Sequence, residues 1–293
     1  MAGPVVGVHG IAQQQVGRNQ LREPWRLALA DGLERATGHA PATPPPLDIA
    51  FYGDLFLTDA DTGAATKSVA AEADSVLAGL EQSEVDDLCS AAAEAVSERD
   101  LANASEQPAK GYTRVPVPLQ RALAALDRRF GAAAGVLYLG ELRQVRRYLC
   151  SPELKAAVDD RVDAAITDEC RIVVAHSLGS VVAFEYLRRN PQRRMDLLLT
   201  LGSPLGLRMV RTRLPDPAHG AADGKLPSTG AWVNLRDPRD PVACAGGLAR
   251  WWPRVRDVEV NNQADAHSVA RYLSKRAAGV AILDVAPELA FDA

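Results

Sequence analysis

The sequence predicts an α/β fold built on a doubly wound, mostly parallel sheet of about six strands. Short aliphatic and β-branched runs, such as residues 171–174, recur along the chain without the polar alternation of a half-exposed strand. Stretches with apolar residues at helical spacing separate these runs, and this alternation is typical of a parallel sheet with helices on both faces. A length of 293 residues allows one large domain of this class.

The N-terminal region predicts a strand–helix–strand unit. Residues 5–8 form the first apolar run, and residues 21–36 carry apolar side chains at helical spacing before Gly38, a residue type that commonly ends helices. A proline-rich loop at 41–46 leads to a second strand at 47–51. This is the repeating unit of a parallel sheet.

A long segment at about residues 58–168 then interrupts the alternation of strands and helices. It shows no convincing strand, and its alanine-rich helical patterns cover roughly residues 66–80, 84–100, 117–130 and 137–166. One crossover helix needs only about a dozen residues, so a segment of roughly a hundred is an insertion between two strands of the sheet.

Alternation resumes after the insertion. Strands are predicted at 171–174, 196–201, 231–235 and 255–260, and a final helix at 268–279. Right-handed crossovers and the common doubly wound order place the first strand beside the strand at 171–174, with the second strand outside it. The winding reverses between those two neighbours, which opens a crevice at the carboxyl ends of the strands.

The most informative stretch is Ala175-His176-Ser177-Leu178-Gly179, which joins the strand at 171–174 to a helical pattern. A strand that becomes a helix over five residues bends sharply and strains the backbone at its apex. Ala175 and Gly179 are the small flanking residues that such a bend requires. The apex residue, Ser177, is lifted clear of the sheet beside the first N–H groups of the helix, as a nucleophile needs.

This stretch resembles the nucleophile elbow of the α/β-hydrolase superfamily, whose usual sequence is G-x-S-x-G. Ala175 replaces the first glycine, and the resulting A-H-S-x-G is similar to the form in small bacterial lipases. The resemblance covers most of the chain outside the insertion. It implies one hydrolase domain over residues 1–293, in which the insertion at about 58–168 is a helical cap or lid. Extra scaffold packed elsewhere is the alternative for the insertion.

The resemblance also implies a catalytic triad in the chain order serine, acid, histidine. His267 follows the last predicted strand, where the superfamily carries its general base, whereas His219 lies in a polar loop. Asp240 begins a D-P-V-A stretch that resembles the D-x-V-P of many lipases, so Asp240 is the expected acid. Asp237 is the alternative, and the aspartate that is not the acid is expected to cap the loop. Ser177 is the expected nucleophile.

The oxyanion hole of such a site needs two backbone N–H donors. The resemblance implies that these belong to Ile11, which follows His9-Gly10, and to Leu178, which follows the nucleophile. His9 is expected to brace its loop. His176 is expected to be structural and to point away from the substrate.

Composition limits the partners. A net charge of −4 disfavours nucleic acid, and the basic–aromatic stretch at 250–254 has no wider basic patch around it. The chain shows neither a secretory signal nor an apolar run long enough for a membrane span, so we expect a cytoplasmic protein without stable membrane insertion. Four scattered cysteines predict reduced thiols and no metal site, and no cofactor is expected. The oligomeric state stays open.

The functional prediction is a serine hydrolase that cleaves an ester or thioester of a small-molecule acyl substrate through an acyl-enzyme on Ser177. One alternative is an acyltransferase that uses the same triad. The other is a hydrolase-fold protein that has lost turnover and works as a binding or regulatory module. The acyl group, the leaving group and a peptidase specificity are left open by the sequence.

Overall fold

A central parallel sheet organises the fold. The computed structural model describes residues 4–10, 13, 16–41, 43–57, 80–105, 116–131, 134–214 and 226–290. The six strands are β1 (Val5–Val8), β2 (Leu47–Ala50), β3 (Ile172–His176), β4 (Met195–Leu201), β5 (Thr229–Arg236) and β6 (Val255–Glu259). All neighbouring strands pair in parallel, so the α/β class and the sheet of six strands are confirmed.

The order of the strands across the sheet is β2-β1-β3-β4-β5-β6. The first strand therefore lies beside β3, with β2 outside it, as the doubly wound order predicts. Val8 at the end of β1 is in register with Ala50 of β2 and with Ala175 of β3. The carboxyl ends of these strands meet at one edge, and the winding reverses between β1 and β3, where a crevice is expected.

Helices cover both faces of the sheet. In chain order they are α1 (Arg18–Thr37), α2 (Gln82–Ala95), α3 (Glu98–Ser105), α4 (Val117–Phe130), α5 (Ala134–Cys150), α6 (Pro152–Ala165), α7 (Leu178–Arg189), α8 (Arg208–Arg213), α9 (Val269–Leu273) and α10 (Arg276–Leu283). Short 3₁₀ turns lie at Gly53–Phe56, Pro204–Gly206, Leu248–Arg250 and Pro287–Ala290.

Side chains of each strand alternate between two apolar cores, because successive residues of a strand point to opposite faces. In β3, Ile172 and Val174 join the core formed with α1, α9 and α10. Val173 and Ala175 join the opposite core, formed with α7 and the inserted helices. Burial on both faces explains why these strands read as continuous apolar runs.

Every regular element that the structure describes in the inserted segment is a helix. The predicted helix at 117–130 is α4, whereas the predicted helix at 66–80 lies outside the described residues. The predicted helix at 137–166 is two helices, because Pro152 cannot continue α5 and Ser151 caps α6 by accepting the Leu154 N–H. The patterns at 84–100 and 268–279 are likewise each broken into two helices.

The inserted helices share one core with the sheet. Leu123, Leu139 and Val158 from the insertion belong to the same buried cluster as Val181 and Phe184 of α7. Helix α5 packs against α4, α6, α7 and α8, and α6 packs on β2. The described part of the insertion is therefore continuous with the core on the α7 face of the sheet.

Two ion pairs attach α5 to α2. Arg143 donates to Glu84 at 2.8 Å, and Arg146 donates to Asp87 at 3.2 Å. All four side chains are largely buried, so solvent screens these pairs less than it would on the surface. These contacts fix the position of α5 over the carboxyl ends of the strands.

No helix within the described ranges combines the length and the apolar character that a membrane span requires.

Candidate active site

The turn from β3 to α7 strains the backbone of Ser177. Its φ of 52° and ψ of −124° lie in a region that residues other than glycine rarely occupy. The Ser177 N–H donates to the Leu201 carbonyl at 3.0 Å, and the Ser177 carbonyl accepts from the Ser180 N–H at 2.9 Å. These bonds hold the apex between β4 and the first turn of α7.

Two glycines allow the close approach on which this turn depends. A Cβ atom at Gly179 would lie 2.1 Å from the Val8 carbonyl oxygen, so a side chain there would push α7 away from β1. A Cβ atom at Gly10 would lie 2.9 Å from Cβ of Ser177. The loop after β1 thus reaches the candidate nucleophile directly.

The structure brings Asp240 against His267. Nδ1 of His267 lies 2.9 Å from Oδ1 and 2.8 Å from Oδ2 of Asp240, and both residues are buried. The Asp240 carboxylate also accepts from the Val242 N–H at 2.9 Å and from the Tyr272 hydroxyl at 2.8 Å. This geometry directs the Asp240 carboxylate at Nδ1 of His267 and leaves Nε2 for other chemistry.

Gly202 makes room for this pair. It has a left-handed φ of 55°, and a Cβ atom there would lie 2.7 Å from Oδ2 of Asp240 and 3.2 Å from Nδ1 of His267. The Gly202-Ser203-Pro204 stretch after β4 therefore borders the acid–base pair.

Asp237 does not contact His267. Its carboxylate accepts from the backbone N–H of Arg239 at 2.8 Å and from that of Asn262 at 2.5 Å. It is buried and caps the loop after β5. Of the two candidate acids, the structure places Asp240 beside the imidazole and gives Asp237 the role of a loop cap.

Glu141 is the residue of the site that the sequence interpretation missed. It lies on α5 of the insertion with 2 % of its surface exposed. Its Oε2 accepts from the Ser177 hydroxyl at 2.5 Å, and its Oε1 lies 3.5 Å from Nε2 of His267. The only available signal was a carboxylate in the apolar stripe of a helical pattern, between Tyr138 and Val145.

The Glu141 contact separates the serine from the imidazole. Nε2 of His267 has no hydrogen-bond partner among the described residues, and 3.5 Å to Glu141 is an ion-pair distance rather than a good hydrogen bond. The Ser177 hydroxyl is fully buried and bonded to Glu141. The three residues of the predicted triad are thus neighbours, with a fourth side chain between two of them.

Two carboxylates control the charge of His267. Burial alone lowers the pKa of an imidazole, but the charge and hydrogen bond of Asp240, together with Glu141, outweigh burial and raise the pKa of His267 to about 10. The imidazole is therefore protonated at neutral pH in this arrangement. Attraction to the two carboxylates offsets part of the cost of burying this charge.

His9 braces the loop after β1. Its Nδ1–H donates to the Gly10 carbonyl at 2.6 Å, its Nε2 accepts from the Tyr52 N–H at 3.1 Å, and its ring stacks on that of Tyr52 with centroids 4.0 Å apart. The Tyr52 hydroxyl donates to the His9 carbonyl. Burial lowers the pKa of His9 to about 4, so the ring is neutral.

His176 supports the loop that carries the base. Its Nε2–H donates to the His267 carbonyl at 2.8 Å, and the two ring centroids are 4.6 Å apart. Burial, with the adjacent His267 charge, lowers the pKa of His176 well below its ordinary value. Contrary to the expectation that it points away from the substrate, His176 lines the cavity beside the site.

A cavity of about 300 Å³ adjoins the site. Its described lining includes His9, Gly10, Gln13, Leu21, Trp25, Leu137, Glu141, His176, Asp265, His267, Ser268 and Val269. Ser177 is absent from this lining because the Glu141 carboxylate lies against its hydroxyl. The volume is enough for a small-molecule ligand.

Of the two candidate oxyanion donors, the structure describes one. Leu178 is the first residue of α7, where a backbone N–H has no partner within the helix. Ile11 and His219 lie outside the described residues. Within the described ranges, no group of three or more His, Cys, Asp and Glu side chains can hold a metal ion.

Comparison with known proteins adds no assignment. No protein-family model matches the chain, and neither a curated protein sequence nor a solved structure matches it significantly. The geometry of the site is therefore the basis for proposing a function.

Proposed function

We propose that this protein is a serine hydrolase of the α/β-hydrolase type that cleaves an ester or thioester through an acyl-enzyme on Ser177. The observation that carries the proposal is the convergence of a strained serine at a strand-to-helix turn with a buried Asp240–His267 pair. The chain order Ser177, Asp240, His267 is the order of that superfamily.

The elbow geometry supports the role of Ser177. A residue other than glycine at a φ of 52° has a conformational cost, and such strain persists where the surrounding structure enforces it. The N-terminus of α7 places the partial positive charge of a helix end beside the hydroxyl. Both features favour a nucleophile over a serine that merely caps a helix, and Ser177 makes no side-chain cap bond.

The Asp240–His267 pair supports general acid–base chemistry. With Nδ1 bonded to Asp240, the lone pair or proton of Nε2 is available to the nucleophile and the leaving group. Once Glu141 is displaced, the imidazole releases its Nε2 proton to solvent and becomes the base. In acylation, Nε2 takes the Ser177 proton while Oγ bonds to the acyl carbon. The same proton then passes to the leaving atom as its bond to carbon breaks. Water repeats the sequence to release the acid, and the Leu178 N–H is positioned to stabilise the oxyanion.

One observation favours a second candidate, a catalytically silent binding protein. Glu141, rather than His267, accepts the hydrogen bond from the Ser177 hydroxyl, so the nucleophile and the base are not hydrogen-bonded to each other. A chain that had lost turnover would tolerate such an arrangement permanently. An active enzyme must displace Glu141 when substrate binds.

Labelling with a fluorophosphonate distinguishes these candidates. We expect one phosphonyl group per chain, on Ser177, because covalent capture requires an activated hydroxyl and an oxyanion site. Ser177→Ala should abolish labelling and lower hydrolysis of a p-nitrophenyl short-chain ester by about a million-fold. Ser180→Ala, which removes another buried hydroxyl of α7, is the matched control and should still be labelled. Absence of labelling in the folded wild-type protein would contradict the hydrolase proposal.

A further inference from the structure

Glu141 occupies space that a substrate must use. Its Oε2 lies 2.5 Å from the Ser177 hydroxyl oxygen, whereas an acyl carbon must come within about 3–3.5 Å of that oxygen to react. The carboxylate therefore has to leave the hydroxyl when the acyl group enters. The displaced carboxylate then needs another partner.

The protein offers the displaced carboxylate no described cation other than His267. None of the described residues that line the cavity is a lysine or an arginine. Among the described residues, Ser177 is the only hydrogen-bond donor to Glu141. A buried carboxylate that loses its partner costs several kcal/mol unless the incoming molecule replaces the contact.

The charge of Glu141 also opposes the reaction of a neutral ester. Attack by Ser177 creates an oxyanion, and a nearby carboxylate disfavours additional negative charge. A cation placed between Glu141 and the acyl group offsets this repulsion. Asp265, exposed at the same cavity, adds negative potential that attracts a cationic ligand.

A second feature of the cavity points to a ligand. His267 lines the cavity with only 9 % of its surface exposed, and its buried Nε2 atom has no hydrogen-bond partner among the described residues. In the proposed reaction this atom delivers the proton to the leaving atom. The leaving group therefore takes the His267 side, which leaves the acyl side of the substrate for Glu141.

We infer that Glu141 is a specificity-determining residue that selects acyl substrates with an ammonium group next to the scissile carbonyl, such as aminoacyl esters. The inference rests on the proposed hydrolase function. The ammonium replaces the imidazolium as the partner of Glu141, so the imidazole can lose its proton and act as the base. A neutral acyl group provides no such exchange of cations.

The test compares two activated esters that differ only in the amino group, the p-nitrophenyl esters of alanine and of propionic acid. In wild-type protein at a pH where the amine is charged, we expect kcat/KM, divided by the uncatalysed hydrolysis rate of each ester at the same pH, to favour the alanine ester by about ten- to a hundredfold, the effect of one charge-assisted hydrogen bond. The preference should decline as pH rises through the α-amino pKa, which is about 7.7–8.0 in peptides and lower in an ester.

Glu141→Gln keeps the size of the side chain and removes its charge. We expect this variant to lose the preference for the alanine ester, whereas Asp163→Asn, the control that removes a carboxylate of the insertion bonded to Tyr186 away from the site, should keep it. Equal preference in wild type and Glu141→Gln would overturn the inference. A gain of equal size on both esters would also overturn it, because Glu141 would then be only an obstruction.

Two further outcomes keep the inference falsifiable. If Glu141→Gln does not fold, the pH dependence of the wild-type preference decides, and a ratio near one at every pH overturns the inference. If neither ester shows turnover that depends on Ser177 and the phosphonate does not label it, the proposed function fails as well. If Ser177 is labelled but the alanine ester is not preferred, substrate recognition by Glu141 is overturned and the proposed hydrolase function stands.

Discussion

The two sides of the His267 imidazole carry two buried carboxylates that are held in different ways. Asp240 belongs to the loop after β5 and accepts from two backbone N–H groups, the Tyr272 hydroxyl and His267 itself. Glu141 belongs to the insertion, and the hydroxyl of Ser177 is its only hydrogen-bond donor among the described residues.

The difference shows which carboxylate can change partners. Displacing Asp240 would break several bonds at once and leave backbone donors unsatisfied in a buried loop. Displacing Glu141 breaks one hydrogen bond and one ion-pair contact, both to groups that the proposed reaction uses. We therefore expect Asp240 to keep its partners, whereas Glu141 is the carboxylate whose partner changes when substrate binds.

The largest effect is expected on the Asp240 side. Asp240→Asn should lower the hydrolysis rate of an activated ester by about ten-thousand-fold, because an amide favours the wrong imidazole tautomer. Asp237→Asn, three residues away, is the matched control and should have a much smaller effect, since Asp237 bonds to the loop backbone and to Arg239 rather than to His267. A reversed order of the two effects would move the acid to Asp237.

A smaller effect, on pH dependence, is expected on the Glu141 side. His267 must be neutral to act as a base, and Glu141 is one of the groups that raise its pKa to about 10. Glu141→Gln should therefore shift the rising limb of the phosphonate labelling rate to lower pH. Asp240 still raises the pKa in the variant, and the neutral His176 ring faces His267 in both proteins.

The same comparison predicts a change in stability with pH. Because the folded-state pKa of His267 is raised above 6.5, its contribution to stability is full below pH 6.5 and is lost as pH rises through about 10. Over this pH interval, the thermal unfolding temperature of Glu141→Gln should fall less than that of the wild type. If Glu141→Gln and the wild type gave the same pH profile in both the labelling and the unfolding experiments, Glu141 would not act on the imidazole.

The smallest effect is expected from one donor to Asp240. Tyr272→Phe removes a hydroxyl that donates to Asp240 at 2.8 Å and accepts from the Asp237 N–H at 2.9 Å. Its loss should lower the free energy of unfolding by about 1–3 kcal/mol and the ester hydrolysis rate by about tenfold or less. Tyr186→Phe, which removes a hydroxyl bonded to Asp163 away from the site, should leave the rate unchanged. A thousandfold loss of rate in Tyr272→Phe would mean that Tyr272 takes part in the chemistry.

The sheet and the elbow could be predicted because their signals are local. Buried parallel strands read as apolar runs, and the bend at Ser177 needs small residues at fixed offsets, Ala175 and Gly179. The expectation for His267 and Asp240 comes from the resemblance to the α/β-hydrolase superfamily, through its triad order and the D-P-V-A stretch that begins at Asp240. The breaks within the long helical patterns were harder to predict, because a proline or serine can start a helix as well as end one.

Glu141 could not be predicted for a physical reason. Along the chain it is one carboxylate in an amphipathic helical pattern, where a charged residue normally lies on the solvated face. Only the packing of α5 against α7 and α8 turns its face toward Ser177. A sequence pattern gives the spacing of apolar residues along a helix. It does not give which side of that helix faces the end of a strand that is distant in the sequence.

Gly202 has a consequence for how this chain can evolve. Its backbone is left-handed, and even asparagine, which tolerates that conformation, would place a Cβ atom 2.7 Å from the Asp240 carboxylate. No single substitution at this position is compatible with an undisturbed acid–base pair. The left-handed backbone disfavours other residues whether or not the pair is present, so loss of Asp240 would remove one steric conflict at Gly202 but not the preference for glycine.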